Sequence, residues 1–261
     1  MDHEGQHVSN TPEKVPSSFL ARRITLLPIE FEACLHVLDT AGTPDPQIAQ
    51  FDTLSSIIAS AVAHNAPAQT YALFADMVLC AASAGYNNPD PLISIDTAAK
   101  LLGQLVNVAR GIKGYGVVQA SRWIRCIVQL IIDASDREAG SPNMKLVEEV
   151  VEQAIVLASA GNLQVQERKE HGNGAEQADA ELGVAYPADE LEWLATILFN
   201  LAVDYYVGEK EERGAKWARK AVELAHILAT SWDADDGGLL VSVFRGKMAE
   251  LGWGIRSGYT P

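Results

Sequence analysis

The sequence is short of cysteine, of basic charge and of uninterrupted apolar runs. Its three cysteines, Cys34, Cys80 and Cys126, are far apart, and each falls inside an apolar helical pattern without disulfide or ligand spacing. They read as buried free thiols of a reducing compartment. Lys plus Arg total 20 against 34 Asp plus Glu, a net charge of -14 with no gathered basic patch, which disfavours direct nucleic-acid contact. No segment approaches the ~18 uninterrupted apolar residues of a membrane span. Met1-Asp2-His3-Glu4 opens no basic region followed by an apolar run, so neither secretion nor membrane insertion is expected. What is present is a chain of 261 residues, 48% hydrophobic and 21% charged, enough to bury a core.

Strand-like alternation is nearly missing as well, whereas apolar residues recur at helical spacing from Leu27 onward and Ala is abundant. The pattern predicts an all-α chain, with helices over 28–41, 46–64, 68–86, 94–110, 115–135, 143–160, 188–207, 211–229 and 237–250. Breakers at Gly42 and Pro44, Pro67, Asn87-Asn88-Pro89, Gly111 with Gly114 and Gly116, and Gly140-Ser141-Pro142 separate most of these. Short connections make neighbours pack as antiparallel hairpins. Residues 1–17 lack large apolar side chains and read as a disordered tail. The helical-repeat domain is expected over 27–250, interrupted by a polar, glycine-containing mobile loop at 162–186 and followed by a C-terminal tail at 251–261.

The most informative stretch begins at Tyr186-Pro187-Ala188, where Pro187 and the carboxylates of Asp189, Glu190 and Glu192 mark a helix start. Beyond it, Ala202, Gly214 and Ala221 fall at the spacings where the two helices of a tetratricopeptide unit approach most closely, with Leu201 and Tyr205 on its apolar positions. Residues 195–228 fill the ~34-residue period without a gap. Small residues are needed there because closely crossing helices leave no room for larger ones. Val151 to Ala158 resembles Arg219 to Ala225 and follows the helix bearing Trp123, a second, degenerate unit. One such unit cannot bury its own faces, so the chain is expected to be an α-solenoid of stacked hairpins.

The strings Tyr186-Pro187-Ala188-Asp189-Glu190-Leu191-Glu192-Trp193-Leu194-Ala195-Thr196, Phe199-Asn200-Leu201-Ala202-Val203-Asp204-Tyr205-Tyr206 and Lys216-Trp217-Ala218-Arg219-Lys220-Ala221 resemble the C-terminal part of the fungal sporulation-specific meiosis family. Ser121-Arg122-Trp123-Ile124-Arg125-Cys126 resembles a stretch preceding that block, so the likeness covers about 115–230. It implies a tetratricopeptide scaffold of the synapsis-initiation and crossover-promoting group, several times longer than this chain, which would correspond to the C-terminal end of a longer solenoid. It further implies a chromosome-associated nuclear protein of sporulation and meiotic recombination at the synaptonemal complex. Its partners would be crossover and chromosome-axis factors. An aromatic-asparagine pair near the C-terminus is associated with partner docking in that family, which singles out Phe199-Asn200.

The candidate partner-binding residues are Phe199, Asn200 and Asp204. An asparagine on the inner face of the first repeat helix can hydrogen-bond the backbone or carboxylate of a bound peptide, and Asp204 shares its face one turn on. Phe199 is an interface anchor or, as is commoner for an aromatic in an apolar stripe, core. Trp123, Trp193 and Trp217 read as packing between repeats. Arg122 and Arg125 form at most a small cationic spot. Gly111-Ile112-Lys113-Gly114-Tyr115-Gly116 follows a helix and lacks the order of a phosphate loop, and Asp233, Asp235 and Asp236 do not complete a calcium loop. The six histidines, His3, His7, His36, His64, His171 and His226, have no metal-ligand spacing. No catalytic, cofactor or metal residue and no small-molecule substrate is expected. The reading is a non-enzymatic interaction scaffold. The alternatives are a generic tetratricopeptide adaptor, co-chaperone-like, which would call for several lysines and arginines forming a clamp where only Lys216, Arg219 and Lys220 cluster, and an all-helical enzyme, for which no converging carboxylate pair stands out.

Overall fold

The computed structural model describes residues 17–36, 46–83, 92–109, 111, 116–134, 142–171, 185–231 and 235–253. Every regular element among them is a helix: α1 (Ser17–His36), α2 (Pro46–Ala63), α3 (Ala68–Ser83), α4 (Ile95–Ala109), α5 (Val117–Asp133), α6 (Pro142–His171), α7 (Ala188–Val207), α8 (Glu211–Ser231) and α9 (Asp235–Glu250). The expected tail through residue 16, the part of the expected loop at 172–184, and residues 254–261 lie outside the described residues. So do the breakers at 42–44, 87–89 and 140–141.

Two helices differ from expectation. Pro28 was expected to open the first helix, yet α1 starts at Ser17 and carries Pro28 inside it. A proline there removes one backbone hydrogen bond and costs about 3 kcal/mol. The apolar stripe of Leu27, Phe31 and Leu35, all buried, holds α1 against its neighbours across the defect, and Phe31 stacks on Phe74 of α3 at 4.6 Å. The second difference is α6, which continues to His171 through the first ten positions of the expected loop. The sequence Gln164, Gln166, Glu167, Arg168, Lys169 and Glu170 lacks an apolar stripe but consists of good helix formers, and propensity can carry a helix past the end of its apolar pattern.

Local caps account for several other boundaries. Ser94 Oγ accepts the backbone N–H of Thr97 at 3.1 Å and starts α4. Gln50 is buried and its Nε2 donates to the carbonyl of Leu35 at 3.2 Å, satisfying the end of α1 from within α2. At Pro67 the chain turns through Asn65 in the left-handed region, and Ala66 N–H bonds back to Ala61 at 2.9 Å.

Pairs α1/α2, α3/α4, α5/α6 and α7/α8 pack as hairpins, with α4 also against α5 and α8 against α9. Along the stack α2 lies on α4, α4 on α6 and α6 on α8, so the even helices form one continuous row. In a second row α1 meets α3 and α5 meets α7. The fold is all-α, a stack of helix hairpins of α-solenoid type. A polar seam follows the even row. Gln104 Nε2 donates to Ser55 Oγ at 2.7 Å, Gln153 Nε2 to Asn107 Oδ1 at 3.1 Å, and Lys216 and Lys220 of α8 pair with Glu148 and Glu152 of α6. The apolar core fills the space between the rows. Trp123 belongs to it, with Ala120, Ile127 and Ile131 on the same buried stripe, and so does Trp217.

The cysteines are free, but they are not buried as expected: Cys80 is exposed and Cys34 and Cys126 are half-buried. Each sits at the margin of its helix's apolar stripe, where helical periodicity alone does not separate core from rim. Among the described residues, no helix is long and apolar enough to cross a membrane.

Candidate functional site

The α7/α8 hairpin carries the candidate residues, and its geometry follows from small side chains. Ala202 and Ala221 are fully buried, and a Cβ placed on Gly214 would lie 2.8 Å from the carbonyl oxygen of Ala202. The expected close approach of the two helices is therefore present, and only glycine fits at its tightest point. The hairpin turns through Glu209 in the left-handed region, with Lys210 N–H bonded to Tyr205 O at 2.8 Å.

On α7 the exposed residues recur one turn apart: Glu192, Thr196, Asn200 and Asp204. Asn200 and Asp204 thus share an outward face, where an amide with two donors and one acceptor stands beside a carboxylate. Phe199 does not join them. It is 6% exposed and stacks on Phe244 of α9, with ring centroids 4.2 Å apart and planes within 2°. Of its two readings the packing one describes its surroundings, and the backbone of Asn200 is held in place by that stack. The turn after α9 extends the same support. Gly252 in the left-handed region bonds Trp253 N–H to Met248 O at 2.8 Å and turns Trp253 back against Gly214 and, edge-on at 5.4 Å, Tyr206. The expected C-terminal tail at 251–261 therefore begins with a buried anchor. A glycine just past a helix end followed by a large aromatic was the sequence signal for it.

At the other end of α7 a cluster joins it to α5. Arg125 lies over the Trp193 ring, 4.6 Å from its centroid, and 3.4 Å from Glu190 Oε2. The cationic spot expected from Arg122 and Arg125 is thus half engaged inside the fold. Burial, and after it Glu190, raises the Cys126 thiol, with Arg125 opposing, so this cysteine is no activated nucleophile. Tyr186, 3% exposed, has its phenol raised well above the usual value of about 10, by burial first and by Glu190 second. The unfolded chain then ionises before the folded one. Stability from Tyr186 is intact below pH 10 and is lost as pH rises past it, by roughly 1 kcal/mol per pH unit. Urea unfolding at pH 8 and pH 11 should show that loss in the wild type and a shallower one in Tyr186→Phe.

Of the three basic residues that cluster in the repeat, Lys216 and Lys220 are bound to Glu148 and Glu152, and Arg219 stands clear. Two hollows flank α8. One, of about 210 Å³, lies between α6, Tyr205 and Trp217 and includes Glu148 and Lys216. The other, of about 440 Å³, runs between α8 and α9. No three His, Cys, Asp or Glu side chains gather as a metal site among the described residues.

No protein-family model matches the chain, and comparison with curated proteins and with solved structures finds no match either.

Proposed function

We propose that the protein is a non-enzymatic interaction scaffold that holds a partner peptide along the outward face of α7. The observation that carries this reading is the pairing of Asn200 and Asp204, exposed one turn apart on a helix fixed from behind by the Phe199–Phe244 stack. A rigid helix with an amide and a carboxylate in line can engage both the N–H and C=O groups of an extended peptide. On the resemblance of 115–230 to the sporulation-specific family, the scaffold acts in the nucleus in meiosis. There it links crossover factors to chromosome-axis proteins during synapsis. The net charge of -14 fits a protein that reaches chromosomes through other proteins.

The test is a pull-down from meiotic cells with the wild type and Asn200→Asp, partners identified by mass spectrometry. The variant removes two donors and sets a second carboxylate one turn from Asp204, and recovery of crossover and axis factors is expected to fall about tenfold. Because Asn200 is exposed, stability should change by less than about 0.5 kcal/mol. Equal recovery would remove Asn200 from the binding face, and expression confined to vegetative growth would remove the meiotic assignment.

A further inference from the structure

The even-helix row has a regular way of passing from one helix to the next, and it stops at α8 with its groups unanswered. On α4, Gln104 reaches back to α2 and Asn107, three positions on, reaches forward to α6. On α6, Gln153 reaches back to α4 and Glu152, one position earlier, reaches forward to α8. Offsets of minus one and plus three lie on the same side of a helix, since they differ by one turn. On α8 the residue reaching back is Lys220, so the forward positions are Arg219 and Glu223. Both are exposed, both line the groove of about 440 Å³ between α8 and α9, and neither has a polar partner among the described residues. The groove floor is apolar, built from Val222, Ile227 and Met248.

The geometry points to this groove as the seat of an amphipathic helix from another protein, docked as the next member of the even row and carrying an acidic residue four positions before a basic one. The direction follows from the rungs below. Glu148 pairs with Lys216 and Glu152 with Lys220, so α6 and α8 run parallel, and a further row member runs parallel to α8. Its residue opposite Arg219 is then Glu or Asp, and the residue one turn later, opposite Glu223, is Lys or Arg. Its apolar stripe covers Val222, Ile227 and Met248. A second copy of this chain fits less well: its acidic-before-basic pairs are already engaged, Asp96 with Lys100 and, in Glu212–Lys216, Lys216 with Glu148, and its outer helices have the reverse order. The exposed side of α1 has Arg22 and Arg23 before Glu30, and α9 has Lys247 before Glu250. The surface is distinct from the Asn200 face and stands or falls without it.

The probe is a fluorescein-labelled, side-chain-bridged helical peptide of about 18 residues, five turns, with leucines spaced by three and four and one Glu-x-x-x-Lys pair on the flank. Its twin carries Lys-x-x-x-Glu. Reversing two ion pairs at a partly desolvated rim is expected to separate the twins by about tenfold in affinity for the full chain, the Glu-first peptide binding tighter. In the variant with Arg219→Glu and Glu223→Lys the preference inverts, and Asn200→Asp leaves it unchanged. Equal affinities for the twins, or no saturable binding, overturns the proposal. So does a concentration-dependent dimer in sedimentation that Ile227→Asp abolishes, because the groove then belongs to a second copy.

Discussion

Replacing Phe199 by alanine should destabilise the protein by about 3–4 kcal/mol, because a buried phenylalanine is lost together with the cavity it leaves. Phe199 is 6% exposed and its ring lies flat on Phe244, so the deletion also removes one of the contacts that hold α9 to α7. Phe244→Ala should cost a similar amount. In a double-mutant cycle the two should couple by about 0.5–1.5 kcal/mol, the range of stacked aromatic pairs. Chemical denaturation followed by far-ultraviolet circular dichroism measures all three variants. The same experiment separates the two roles open to this residue. An interface anchor would lose partner binding while leaving stability within about 1 kcal/mol, and that result would place Phe199 on the docking face beside Asn200.

The second large effect is expected at Gly214. A Cβ there would meet the Ala202 carbonyl oxygen at 2.8 Å and Trp253 Cζ2 at 2.8 Å. The indole can swing away, but the carbonyl belongs to the backbone of α7 and cannot move without parting the hairpin. Gly214→Val puts a Cβ and two further methyl groups into that contact and should cost about 3 kcal/mol, the upper end for overpacking, reduced only by the few tenths by which valine exceeds glycine in helix propensity. Gly214→Ala is the milder companion, since alanine recovers about 1 kcal/mol of propensity and meets the same oxygen with one methyl. Denaturation midpoints give the stabilities, and tryptophan fluorescence reports whether Trp253 has been expelled into water. A valine variant as stable as the wild type would mean that the two helices do not depend on this approach.

Periodicity was enough to place α7 and α8. Residues 188–207 were expected as a helix and α7 has those ends, while α8 differs from its expected 211–229 by two residues at one end. The small residues Ala202, Gly214 and Ala221 were also readable, since steric need fixes their type at fixed spacing. What the sequence concealed depends on tertiary contacts. Pro28 looks like a helix start until Phe31 and Phe74 are seen to hold both sides of it together. Phe199 and Asn200 are neighbours in sequence, yet successive residues on a helix face about 100° apart, so one is core and the other surface. Which side a helix covers is decided by α9, whose own pattern gives no sign of where it will lie. Nor does the pattern announce the Lys216 and Lys220 pairs with α6, which make two of the three clustered cations internal ties.

The stack is not evenly joined. Helix α8 packs closely on both α7 and α9, and among the described residues the main contacts of these three with the preceding helices are those of α8 with α6 and of α7 with α5. That joint is crossed by lysine–glutamate pairs and by Arg125 over Trp193, beside an apolar core that continues through it. The spacing of Asn200 and Asp204 is set wholly within α7, so a shift of α8 against α6 would leave the ruler they form unchanged.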